Sequence, residues 1–83
     1  MDIGVEISLY PLNAEYIPPI KAFIERINGD PRLRVTTNAM STQVFGDIDV
    51  VFPLLQAQMR RTFGENAKSV FVMKVLGPFA APV

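Results

Sequence analysis

The sequence predicts an α+β fold, two helices on one sheet, from three observations. Two stretches, Ile17 to Ile27 and Val51 to Phe63, carry apolar residues at helical spacing. Alternating or β-branched runs precede, separate and follow them. Between the two middle runs lies only Asn38-Ala39-Met40, too short for a crossover and right for an antiparallel hairpin.

The first strand is expected over Ile3 to Leu12, where Ile3, Val5, Ile7 and Leu9 alternate with Gly4, Glu6, Ser8 and Tyr10. Pro11 ends it. Asn13 to Asn28 reads as the first helix, with Ile17, Ile20, Phe23, Ile24 and Ile27 on one face. Pro18 and Pro19 are tolerated only in a first turn, whose N–H groups lack partners anyway, so the helix starts near Glu15 or Tyr16. Asn28-Gly29-Asp30-Pro31 stops it. Arg32 to Thr37 and Ser41 to Phe45 are the hairpin strands. In Gly46-Asp47-Ile48-Asp49 both aspartates fit the cap of the second helix, and Asp49 is preferred because Pro53 then closes the first turn. Val51, Leu54, Leu55, Gln58, Met59 and Phe63 form its expected buried stripe, Arg60 and Arg61 suit its C-terminal dipole, and Gly64 ends it. Ser69 to Leu76 is the last strand, apolar on both faces apart from Lys74. An irregular tail is expected from Pro78.

The order βαββαβ is that of a ferredoxin-like sandwich: a four-stranded antiparallel sheet with both helices on one face, in a single domain over residues 1–83. Right-handed crossovers put the first and third strands in the centre. The helix-free sheet face then mixes Glu6, Ser8 and Tyr10 with apolar residues of the last strand, as a ligand pocket or a subunit interface requires.

Composition narrows the chemistry. The chain has no cysteine and no histidine, so disulfides, thiolate metal sites and the commonest general base are excluded. No carboxylates cluster at cation-binding spacing. No glycine-rich phosphate loop occurs. Lys21, Lys68 and Lys74 would act as bases only if strongly desolvated. The expectation is a protein that is not an enzyme. Eight basic and eight acidic residues cancel, leaving no field for nucleic acid. A hydrophobic fraction of 49% beside 19% charged residues suggests a surface partly covered by further copies of the chain. No secretory signal or long apolar run is evident, and a cytoplasmic location is the default expectation.

The most unusual stretch is Thr36-Thr37-Asn38-Ala39-Met40-Ser41-Thr42-Gln43, where six of eight residues bear a hydroxyl or an amide. Such groups give oriented hydrogen bonds without net charge, which suits a neutral heterocycle. They serve equally to satisfy hairpin backbone groups. Tyr10, sharing a face with Ser8 and Glu6, fits either stacking on a flat ligand or an interface. Met40, Met59 and Met73 read as core or interface filler.

In Ser8-Leu9-Tyr10-Pro11-Leu12, in Thr37-Asn38-Ala39-Met40-Ser41-Thr42 followed by Val44 and Gly46, in Gly46-Asp47-Ile48-Asp49 and in Val72-Met73-Lys74, the chain resembles the YkoF-like thiamin/hydroxymethylpyrimidine-binding proteins. The resemblance spans nearly the whole chain. It implies the ferredoxin-like fold, association as a dimer or dimer of dimers, and binding of thiamin or its pyrimidine precursor in uptake or salvage, beside an ABC-type transporter. Ser8, Tyr10, Thr37, Asn38, Ser41 and Thr42 match the family's polar pocket segments. Lys74 departs from the neutral polar residue expected there. The expected ligand set is therefore Glu6, Ser8, Tyr10, Thr37, Asn38, Ser41 and Thr42, with Glu6 the counter-charge for a cation and no bound cofactor or metal. The competing reading is an oligomeric structural or regulatory interaction domain without such a ligand.

Overall fold

The computed structural model describes residues 1–65 and 68–78. Its elements are β1 (Asp2–Pro11), α1 (Ile17–Asn28), β2 (Arg34–Thr37), β3 (Thr42–Asp47), α2 (Ile48–Glu65) and β4 (Ser69–Leu76). The sheet order is β2-β3-β1-β4, and every pair is antiparallel. This is the ferredoxin-like sandwich that the sequence predicts. The expected irregular tail lies, from Phe79, outside the described residues.

Alternation in β1 decides where the core sits. Ile3, Val5, Ile7 and Leu9 are buried and point to one side, where Phe23 and Ile27 of α1, Val44 of β3, and Val51 and Leu55 of α2 meet them. Phe71 of β4 joins this layer, its ring centroid 5.1 Å from that of Phe23 and 5.5 Å from that of Phe63. Glu6, Ser8 and Tyr10 alternate to the other side, which neither α1 nor α2 covers.

Local hydrogen bonds explain where the element ends differ from the sequence reading. α1 begins at Ile17 rather than at Asn13, because the Asn13 side-chain carbonyl accepts the Glu15 N–H at 3.1 Å and makes a turn instead. Pro18 and Pro19 sit in the first turn as expected. β2 begins at Arg34 rather than Arg32, because Arg32 is folded back onto Asp30. The Asp30 carboxylate accepts the Arg32 backbone N–H at 2.9 Å and its guanidinium at 2.6 and 3.0 Å.

β3 runs from Thr42 on to Asp47, whose residue pairs with Asp2, so the preferred cap Asp49 is displaced. Asp47 takes that role: its carboxylate accepts the Asp49 N–H at 2.8 Å and the terminal ammonium of Met1 at 3.0 Å. The Ile48 N–H is satisfied by the Met1 carbonyl at 2.9 Å. Pro53 then lies inside the helix, exposed, two residues further along than expected. The helix passes through Gly64 and ends at Glu65. On its inner stripe Phe63 is 53% exposed, and Thr62 is buried in its place. Thr62 accepts a guanidinium N–H of Arg26 at 3.0 Å while Gln58 accepts the Arg26 Nε–H at 2.5 Å, which ties α1 to α2.

Candidate functional site

A cavity of about 190 Å³ opens where the end of β1, α1 and the β2–β3 hairpin converge. Its floor is apolar: Ile7 and Leu9 from β1, and Ile20, Phe23 and Ile24 from α1. Its polar wall is the hairpin, Thr37 to Thr42. The helical stripe and the strand alternation that build the core also build this floor.

The hairpin wall follows from its sequence. Thr37 pairs with Thr42 in the last register position, and both point to the helix side of the sheet, where their hydroxyls lie 3.1 Å apart in a mutual hydrogen bond. Thr42 is buried. The Asn38 side-chain carbonyl accepts the Met40 and Ser41 N–H groups at 2.8 and 3.1 Å, and its backbone N–H donates to the Ser41 carbonyl at 3.1 Å. The Asn38 side-chain oxygen thus holds the turn, as the backbone reading of this segment anticipates. Met40 at the tip lines the cavity and is 86% exposed.

The sheet divides the residues singled out in the sequence. Thr37, Asn38 and Thr42 gather at the cavity. Ser8 and Tyr10 border it, yet their side chains alternate to the open face with Glu6, opposite Val72 and Val70 of β4. Ser41 connects the two sides. It lines the cavity, and its hydroxyl donates to Glu6 Oε2 at 3.0 Å on the open face while accepting Gln43 Nε2 at 2.9 Å. Lys74 stands directly opposite Glu6, with Nζ 3.8 Å from Oε1, on that same open face. The lysine is thus turned away from the cavity, and Glu6 is already engaged by Ser41 and Lys74. No charged side chain lines the cavity among the described residues.

Sequence reasoning missed the apolar half of this site, Ile7, Leu9, Ile20, Phe23 and Ile24, because each also reads as plain core. It also missed Gln43 as a support for Ser41, although Gln43 belongs to the polar run. A second, larger groove of about 390 Å³ lies between α2 and β4, lined by Phe52, Leu55, Met59, Phe63 and Met73, with Gln56 and Arg60 beside them. Among the described residues no three His, Asp or Glu side chains gather as a metal site, and no helix is long and apolar enough to cross a membrane.

No curated protein matches the sequence. Among solved structures, a "putative thiamine biosynthesis/salvage protein" from Thermotoga maritima superposes with a TM-score of 0.85 at 15% identity, covering 94% of this chain and 85% of its own. A hypothetical protein from Methanocaldococcus jannascii superposes at 0.81 with 24% identity, covering 98% of this chain and 84% of its own. A Streptococcus pneumoniae protein reaches 0.87 at 15% identity, over 95% and 89%. At these identities the likeness establishes the fold. The sequence itself matches the family described as "YKOF-related Family" over residues 2–76, nearly its full length, and the chain belongs to that family.

Proposed function

We propose that the protein binds a small uncharged heterocycle of the hydroxymethylpyrimidine type, without catalysing its conversion, in thiamin uptake or salvage. The single observation that carries this reading is the cavity at the hairpin: an apolar floor, a pair of threonine hydroxyls, the Asn38 side chain and no charge. Its volume of about 190 Å³ lies below the roughly 300–1,000 Å³ of sites for drug-sized ligands, so it suits one substituted ring. Ile7, Leu9 and Phe23 bury the ring faces, while Thr37, Thr42 and the Asn38 amide meet its polar edge. Thiamin itself brings a cationic thiazolium. A buried cation without a counter-charge is costly, and Glu6 lies across the sheet, so only the pyrimidine half of thiamin suits the interior. The name of the Thermotoga neighbour and membership of the family agree with a thiamin-related ligand.

The working unit in this proposal is a cytoplasmic homo-oligomer, supported by the large apolar side chains left exposed on β4. Passing ligand on from an ABC-type transporter is the setting it fits. The test is calorimetric titration of the wild-type protein with hydroxymethylpyrimidine, thiamin and thiamin diphosphate. Binding in the order pyrimidine, thiamin, diphosphate supports the reading. Absence of binding by all three at millimolar ligand rejects it in favour of an interaction domain without such a ligand.

A further inference from the structure

Floor and hairpin wall take a bound ring from inside, and the mouth of the cavity faces water. Of the exposed residues lining it, Thr37 and Asn38 are polar, Ala39 carries a single methyl, and Tyr10 alternates to the open face. That leaves Met40 as the exposed, long and apolar side chain at the mouth. Its backbone is held in place. The Asn38 side-chain oxygen accepts the N–H groups of Met40 and Ser41, and the Ser41 hydroxyl is anchored on Glu6. The methionine side chain, unbranched and with three rotatable bonds, can swing while the hairpin stays still. At 86% exposed it is also the most water-accessible of the four methionines, ahead of Met1 at 71% and Met73 at 40%, with Met59 half-buried.

We propose that Met40 folds over the mouth to close the cavity on its ligand, and that oxidation of its thioether by a peroxide reopens it. This rests on the ligand class proposed above and adds a switch to the same site. A methionine that leaves water to lie on an aromatic ring gains by apolar burial and by the sulfur–ring contact. In the free protein the side chain stands in water, where a peroxide meets the sulfur. A sulfur lone pair attacks one peroxide oxygen. An S–O bond forms, the O–O bond breaks, and the second oxygen leaves as water once it has taken up the proton. Sulfur is oxidised by two electrons and the peroxide is reduced by two. The resulting sulfoxide is polar and favours water over the ring, so the closed form loses its advantage. A bound ligand in turn shields the sulfur. Ligand and oxidant therefore compete for one side chain.

Two measurements on the full chain test it, with hydroxymethylpyrimidine as the ligand and hydrogen peroxide as the oxidant. Peptide mass spectrometry follows the gain of one oxygen at each methionine. Ligand at about ten times its dissociation constant should slow oxidation at Met40 about tenfold, while Met1, which does not line the cavity, keeps its rate. Calorimetry reads affinity. Met40→Gln, polar and of like length, should bind about tenfold more weakly through lost apolar contact, and Met40→Leu should lose far less. Peroxide-treated wild type should fall to the affinity of Met40→Gln. Peroxide-treated Met40→Leu should keep its affinity, which assigns the effect to Met40 rather than to Met1, Met59 or Met73. Hydroxymethylpyrimidine that binds wild type, yet leaves the Met40 oxidation rate unchanged or binds Met40→Gln equally well, would overturn the closure alone. The same affinity in both peroxide-treated proteins would overturn the switch. No binding by wild type at millimolar ligand would overturn the ligand class and the closure together.

Discussion

Glu6 and Lys74 face each other across β1 and β4 on the side of the sheet opposite the cavity, carboxylate to ammonium 3.8 Å. Lys74 is 85% exposed, and an exposed pair of this kind contributes less than about 1 kcal/mol. Lys74→Asn should therefore leave the affinity for a neutral pyrimidine within about twofold, as judged by calorimetry, since a twofold change is only about 0.4 kcal/mol. A tenfold gain for thiamin would show that the lysine does reach the ligand.

Thr42→Val keeps the shape of a buried side chain and removes its hydroxyl. If the threonine pair meets the ligand edge, affinity should fall by about 1–3 kcal/mol, roughly 5- to 150-fold. The same loss is expected for Asn38→Ala through its NH₂, accompanied by a looser turn because its carbonyl also holds Met40 and Ser41. Tyr10→Ala, on the open face, should change affinity far less than Thr42→Val. Equal losses at Tyr10 and Thr42 would place the ligand across the sheet end rather than in the cavity.

Ile27 is fully buried between the helices and the sheet. Ile27→Ala should destabilise the fold by roughly 2–5 kcal/mol in urea unfolding, the range for a large-to-small change in a tight core. Arg26→Leu should cost about 1–3 kcal/mol, because it removes the guanidinium hydrogen bonds that tie α1 to Gln58 and Thr62 of α2.

Stability should also depend on acid. The Arg32 side chain and then its backbone N–H hold the Asp30 carboxyl down at about 2, from an ordinary 3.8. Asp47 is lowered as well, first by the Asp49 N–H and then by the terminal ammonium. A carboxylate lowered in the folded state stabilises above its unfolded value, and that stabilisation fades as pH falls through the folded value. The unfolding midpoint should thus hold steady above about pH 5 and drop between about pH 4 and 2. Asp30→Asn should flatten part of that drop in a pH series of thermal melts, and an unchanged slope would count against the Asp30–Arg32 contact.

The fold was legible because its signals are periodic. Alternation from Ile3 to Leu9 and the stripe from Ile20 to Ile27 specify burial directly, and both stand in the structure. Element ends were less legible because single side chains set them, as Asp30 does by folding Arg32 back and Asp47 by capping α2. The polar half of the site was legible as a run of hydroxyls and amides. What the run does not encode is which side of the sheet each member takes. That depends on register, and the one-residue alternation from Ser41 to Thr42 sends neighbours to opposite faces.

That alternation has an evolutionary consequence. Along β1 the odd positions 5, 7 and 9 answer to the core and the cavity, while 6, 8 and 10 answer to the open face. Selection can therefore act on the two faces through separate codons of one strand. A descendant could reshape the cavity by altering Ile7 or Leu9 and keep its open surface, or remodel Glu6 for new company and keep the cavity.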